Sequence, residues 1–336
     1  MPHKLNVLIV GCGNIAGGFD ENRGNSYSTH PYTHAGAMTA DGRFNLLACV
    51  EPDAARRKAF MEFWSVARGF DDLDAVVHSG LAFDVVSLCS PTASHYSDLQ
   101  KIIALKPKII FCEKPVTLTA QETETVVNAC QQASIRLAVN HTRAWDASLS
   151  QLKQAVDAGE WGELRSIIGT YNKGVLNNGS HLIDLLYRFV PSMHIIAVGL
   201  PVFDYTDDDP TIPALLQSDA GLSIHLVAAH AVDYAIFEVQ FIFSQGVLVM
   251  EKGGFSWRQR RAVDSPVFKG YRMLDEGRFY SGGYDNAMKR AVDNIYRAIT
   301  RQEDVLETGY TALKVQKFCE LLKRQALCKG GVESHG

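Results

Sequence analysis

"LNVLIVGCGNIAG" (residues 5–17) is an apolar, β-branched run that meets two glycines one residue apart and then turns helix-compatible. A buried strand that stops on glycine and reopens as a helix leaves backbone N–H groups facing the space beyond the strand end, which suits a phosphate. The pattern G-x-G-x-x-[GA] is filled by Gly11, Gly13 and Ala16, with Asn14 and Ile15 between them. Alone it is a weak signal. It gains weight only if the chain around it alternates strands with helices.

That alternation is present. "FNLLACVE" (44–51), "FDVVSLCS" (83–90), "PKIIFCE" (107–113) and "IRLAVN" (135–140) are continuous apolar runs, as expected of parallel strands covered on both faces. Between them lie helix patterns at 52–67, with Pro52 suited to a first turn, and at 92–106, with Thr92 as an expected N-cap. The reading is an α/β chain whose residues 1–141 form a doubly wound parallel sheet of the Rossmann kind. After residue 141 the rhythm changes. A helix pattern leads to a strand at 164–173 and a helix near 180–189, then strand-like runs at 221–231, 235–244 and 246–252 follow without helices between them. Those runs indicate an antiparallel sheet, and two amphipathic helices close the chain, so 142–336 reads as a second domain.

The bulk numbers narrow the partners. Lys and Arg number 33 against 37 Asp and Glu, a net charge of -4 with no basic cluster, so neither nucleic acid nor an anionic membrane is the expected partner, and a small molecule is. The start "MPHKLNVLIVG" is too soon broken by glycine for a signal peptide, and no later apolar run approaches a membrane span; a cytoplasmic protein is expected. Seven cysteines without a C-x-x-C pair, among them Cys49, Cys89 and Cys112 in apolar runs, fit a reducing compartment.

Candidate site residues gather at strand ends. Glu51 closes the second strand, where an acid accepts hydrogen bonds from ribose hydroxyls and repels a 2′-phosphate; this favours NAD, although Arg56 or Arg57 leaves NADP open. It stands 40 residues after Gly11 rather than about 20, because "GGFDENRGNSYSTHPYTH" (17–34) intervenes, read as a loop over cofactor or substrate. His30 and His34 within it have helical metal-ligand spacing, but no further ligands complete a site and no metal is expected. "CSPTASH" (89–95) brings Ser90, Thr92 and His95 to the same edge as cofactor-facing candidates. "IIFCEKPVT" (109–117) ends a buried strand on Glu113, Lys114 and Pro115, where a lysine can bridge a substrate hydroxyl and the cofactor.

Taken in order, "GCGNIAG", "EKP", "GEWGELRSI" (159–167) and "NNGSHLIDLL" (177–186) resemble the Gfo/Idh/MocA (glucose-fructose oxidoreductase, inositol dehydrogenase) family over essentially the whole chain. The resemblance implies a Rossmann domain followed by an α/β domain on an open, mostly antiparallel sheet. It also implies hydride transfer between NAD(P) and a hydroxyl or carbonyl carbon of a sugar, sugar nucleotide or cyclitol, with assembly as a dimer or tetramer through the second sheet. It assigns catalysis to Lys114 and His181, the substrate hydroxyl held between them, and implies a cis Lys114–Pro115 peptide. Many members carry Asp four residues before the histidine; here Asn177 stands there, able to hydrogen-bond a hydroxyl but not to take a proton. Asp184, one turn after His181, could orient it or simply pack. Arg143 and Trp145 in "NHTRAWD", and Tyr171 and Lys173 at a strand end, are further substrate-side candidates with a packing role equally open. Two alternatives stay beside the dehydrogenase: an enzyme that uses NAD transiently for elimination or glycoside cleavage, and a non-catalytic cofactor-binding sensor.

Overall fold

The computed structural model describes residues 4–23 and 28–330, and its chain divides into two compact units. The first comprises Met1–Trp145 with Asp285–Lys314, the second Asp146–Tyr284 with Val315–Gly336. The junction lies a few residues past the expected boundary at 141/142, and a segment near the C-terminus returns to the first unit.

In the first unit, β1 (Leu5–Val10) runs into a π-helical turn (Asn14–Gly18) and a short α1 (Phe19–Glu21). There follow α2 (His34–Asp41), β2 (Phe44–Val50), α3 (Ala54–Trp64), β3 (Arg68–Phe70), α4 (Leu73–His78), β4 (Val85–Leu88), α5 (Thr92–Ala104), β5 (Ile109–Cys112), α6 (Ala120–Gln132) and β6 (Arg136–Val139). The six strands are parallel in the order β3-β2-β1-β4-β5-β6, the doubly wound arrangement expected. Successive β1 residues serve opposite faces: Val7 and Ile9 join one buried cluster with Phe44, Phe60 and Trp145, while Leu8 and Val10 join another with Val86, Leu99 and Ile110. Carboxyl ends of β1, β4 and β5 are therefore neighbours on one edge.

Local chemistry corrects several details. Helix α3 is capped by Asp53, whose side chain accepts from Ala55 N and Arg56 N, so Pro52 precedes the cap instead of lying in the first turn. Thr92 is the first residue of α5 and Pro91 is its N-cap, with no side-chain cap bond. The segment 17–34 is not one loop: Gly17–Glu21 are helical and His34 opens α2, while 24–27 lie outside the described residues.

The second unit holds α7 (Ala147–Asp157), β7 (Leu164–Tyr171), a π-helical turn (Gly174–Asn178), α8 (Gly179–Phe189), β8 (Met193–Val198), β9 (Ala214–Ser218), β10 (Ser223–Ala228), β11 (Phe237–Phe243), β12 (Gly246–Glu251), β13 (Ser256–Asp264), β14 (Arg272–Leu274) and β15 (Arg278–Ser281). These strands form one sheet, β14-β13-β12-β11-β7-β10-β9-β8 with β15 on β13, antiparallel throughout except for the β7–β10 pair. Helix α8 packs on one face, Leu182, Leu185 and Leu186 lying in the same buried cluster as Ile167, Val239 and Phe241. The closing helices are α9 (Ala287–Arg301), which belongs to the first unit, and α10 (Gly309–Gly330), which passes into the second at Val315.

Candidate functional site

At the end of β1, Gly11 has φ +84, and a Cβ there would stand 2.6 Å from Ser90 N, so the turn needs glycine both for its backbone and for its approach to the β4–α5 turn. At Gly13 a Cβ would meet no protein atom within 4 Å, so the backbone is open to an incoming group at the start of the helical turn. The carboxylate of Glu51 braces this loop: Oε2 accepts from Cys12 N at 3.0 Å and Oε1 from Asp53 N at 3.1 Å, with the Arg56 guanidinium at 3.4 Å. Gly11, Glu51, Arg56, Asp71, Ser90 and Asp98 line one cavity of about 440 Å³ in the first unit. Asp72 lines it too, and with Glu51, Asp71 and Asp98 gives four carboxylates against the basic Arg56 and Lys101. Carboxylates of this kind accept hydrogen bonds from ribose hydroxyls and repel a 2′-phosphate, whereas Arg56 and Lys101 attract one. Sequence reasoning found Glu51 but not the three aspartates; Asp71 and Asp72 follow the three-residue strand β3, which no apolar run had announced, and Asp98 lies within α5.

The next turn holds Ser90 by the Asp98 carboxylate at 2.9 Å. His95, expected to face a cofactor, is buried instead, its Nε2 2.8 Å from Ser90 O and its Nδ1 3.1 Å from Val116 O. It ties the Ser90 turn to the segment after β5. That segment carries Lys114, and the Lys114–Pro115 peptide is cis, as the resemblance implies. The carboxylate of Glu113, also read as cofactor-facing, accepts from His34 Nε2 at 2.8 Å and Asn140 Nδ2 at 2.6 Å. Burial disfavours a proton on His34, yet Cys89 and Glu113 outweigh it and hold the imidazole up at about 10. Burial likewise works against charge on Glu113, and the His34 and Asn140 bonds with nearby Lys114 bring its carboxyl below the ordinary range. The two form an ion pair.

In the second unit, β7 leads to Lys173 in the left-handed region, φ 65, where its N–H donates to Asp204 Oδ2 at 2.8 Å. The following turn is capped by Asp209, whose Oδ1 accepts from Leu176 N at 2.8 Å and Oδ2 from Asn177 N at 2.9 Å. Asn177 thus stands in the turn that opens α8, and His181 is the third residue of that helix, partly exposed. Asp184 is buried and its two oxygens pair with the Arg188 guanidinium at 3.1–3.2 Å. The ammonium of Lys173 lies 5.7 Å from the Tyr205 ring centroid.

Two substrate-side candidates are packing residues. Trp145 is fully buried in the first unit, Nε1 donating to Asn294 Oδ1 at 3.2 Å. Tyr171 is fully buried in the second; its hydroxyl donates to Ile212 O at 2.8 Å and accepts from Ile212 N, and burial pushes the phenol far up. Both have large apolar bodies whose one polar atom finds a partner in the interior. Arg143 is also buried, at the same edge of the first unit.

Residues 5–141 match the family described as "Oxidoreductase family, NAD-binding Rossmann fold", Gfo/Idh/MocA. These residues, the greater part of the first unit, are thereby shown to resemble a Gfo/Idh/MocA NAD-binding domain. The match takes in the glycine turn, Glu51 and the Glu113–Lys114 strand end, and the cofactor class of the family is NAD(P). Among curated relatives, the inositol 2-dehydrogenase of Rhizobium meliloti (strain 1021) is 27% identical over 222 residues, 66% of this chain and 62% of that protein. The D-glucoside 3-dehydrogenase of Escherichia coli (strain K12) is 26% identical over 211 residues, 59% of this chain and 55% of that one. The chain thus spans less than two thirds of either relative's length. The solved WlbA dehydrogenase from Bordetella pertussis, in complex with NADH and UDP-GlcNAcA, aligns with a TM-score of 0.73 at 18% identity, covering 96% of this chain and 97% of that one, and bears out the fold of both units.

Proposed function

We propose that the protein is an NAD-dependent oxidoreductase acting on a CH–OH carbon of a cyclitol, sugar or sugar nucleotide. The observation that carries this reading is the carboxylate-lined cavity at the Gly11 turn, with Lys114 on the same strand edge at the end of β5. Gly11, Gly13, Glu51 and Ser90 would hold the dinucleotide, which when bound supplies a hydride acceptor or donor at its nicotinamide. The lysine ammonium donates a hydrogen bond to the substrate oxygen and so stabilises charge that develops there. His181 takes the hydroxyl proton in oxidation and returns it in reduction. Asn177 hydrogen-bonds a neighbouring hydroxyl and fixes the ring without exchanging a proton.

Asn in place of the acid many relatives carry favours one other reading, a transient oxidation that is reversed within each turnover and leaves no net NADH. Exposed apolar side chains on the β13–β15 edge, Val263, Met273, Phe279 and Tyr280, support assembly as a dimer or tetramer through the second unit's sheet. Replacing Lys114 tests the enzyme reading. Lys114→Met is expected to bind NADH within threefold of the parent and to lose turnover by about 10²-fold or more; unchanged turnover contradicts the role of Lys114.

A further inference from the structure

Residues that return from the 17–34 segment are fastened on one carboxylate. Asp20, fully buried, accepts from Tyr32 N and Thr33 N, each at 2.9 Å, and from Thr33 Oγ1 at 2.7 Å. Thr33 in turn caps α2, its Oγ1 accepting from Gly36 N at 3.1 Å. A Cβ at position 36 would lie 2.3 Å from Asp20 Oδ2, so only glycine allows the helix this close to its anchor. His34, the next residue after the cap, is thereby presented to the strand edge with both ring nitrogens engaged: Nδ1 is 2.6 Å from Ser87 Oγ on β4, and Nε2 is 2.8 Å from Glu113 Oε1 after β5. Its ring packs on Phe111 of β5, centroids 4.3 Å apart. Asn140, after β6, holds the same Glu113 oxygen, and Thr142 Oγ1 holds Asn140 Oδ1 at 3.0 Å. Three adjacent strand ends and one helix start converge on a carboxylate whose sequence neighbour is Lys114.

We infer that His34 is a positioning residue for Lys114: by bonding Glu113 from the protein interior it fixes the peptide that carries the lysine, so the anchored return of the insertion determines where the amine stands. The inference rests on the role proposed for Lys114 above. Glu113 held by two donors on one oxygen has little rotational freedom, and the peptide after it inherits that restraint. Loss of the His34 bond leaves Asn140 donating to that oxygen and loosens a side chain one residue from the amine, and a displacement of about 1 Å in a reacting group costs on the order of 10²-fold in rate.

Two isopolar variants separate positioning from plain support of the fold. His34→Gln can place its amide nitrogen near the former Nε2 and reach Glu113; His34→Asn can reach Ser87 but not Glu113. With an oxidisable substrate, His34→Asn is expected to lose kcat by about 10- to 100-fold while KM and NADH affinity stay within threefold, and His34→Gln to stay within about fivefold of the parent. Equal behaviour of the two variants, in either direction, overturns the inference. A second readout needs no substrate. Lysines are reductively methylated with ¹³C-formaldehyde, and the Lys114 resonance is assigned by its absence from Lys114→Met. Displacement of that resonance in His34→Asn but not in His34→Gln supports positioning even if no substrate turns over, the case in which the functional reading itself fails. A resonance unmoved in both overturns it.

Discussion

His34 and Glu113 show at the scale of single residues how charge is kept behind the strand edge. The folded pKa of His34, about 10, lies above the ordinary value of 6.5, so its stabilising contribution is complete below about pH 6.5 and is lost as pH rises through 10. Glu113 is shifted down, so its contribution is present above the ordinary 4.5 and is lost as pH falls through the folded value. Urea unfolding midpoints are therefore expected to fall steadily from about pH 6.5 toward pH 10, and His34→Gln is expected to flatten that fall; an identical fall in the variant contradicts the pairing. Glu51 acts beside the cavity. Glu51→Gln keeps an acceptor for only one of Cys12 N and Asp53 N and removes the charge, so NADH affinity should drop by about tenfold and the margin over NADPH should narrow. Fluorescence titration checks both. Glu51 was legible in the sequence because a strand-final acid has a defined partner, whereas the inward roles of His34 and His95 were not, since their partners lie 79 and 5 or more residues away and only the fold brings them in.

At the scale of elements, α8 begins as it does because Asp209 and Asp204 occupy N–H groups of the turn before it. Asp209→Ala is expected to cost about 1–2 kcal/mol of stability and to lower turnover more than it changes NADH affinity, because Asn177 and His181 follow that turn directly. Thermal melts and kinetics read the two effects separately. The parallel strands of the first unit were readable because burial on both faces writes continuous apolar runs. Strand β13, "SWRQRRAVD", was not: its arginines cover apolar surface with their stems, Arg261 lying 3.4 Å over the Trp161 ring, so no apolar alternation survives in the sequence. The departures at Pro52, expected in a first turn, and Thr92, expected as an N-cap, have a similar origin, since each stands one place away from the residue the backbone turned into a cap.

For the whole molecule, the order of units along the chain is simpler than their composition. Helix α9 returns to the first unit because Ala287, Met288, Ala291, Val292 and Ile295 join the cluster of Ala35, Met38 and Phe44, a match of apolar faces that no local pattern specifies. The exposed apolar edge at β13–β15 predicts a solution mass at least twice that of one chain by light scattering, and Phe279→Lys should lower it; a monomeric parent contradicts assembly through that edge. No helix among the described residues is long and apolar enough to cross a membrane. The central claim is that the glycine turn, Glu51 and Lys114 serve one net oxidation of a CH–OH carbon by NAD. It is tested most directly by incubating the protein with NAD and, in turn, inositols, glucosides and sugar nucleotides while following absorbance of the reduced nicotinamide. Net NADH formation with one of these classes, abolished in Lys114→Met, is the predicted result; tight NADH binding with no net absorbance change across all three would contradict it.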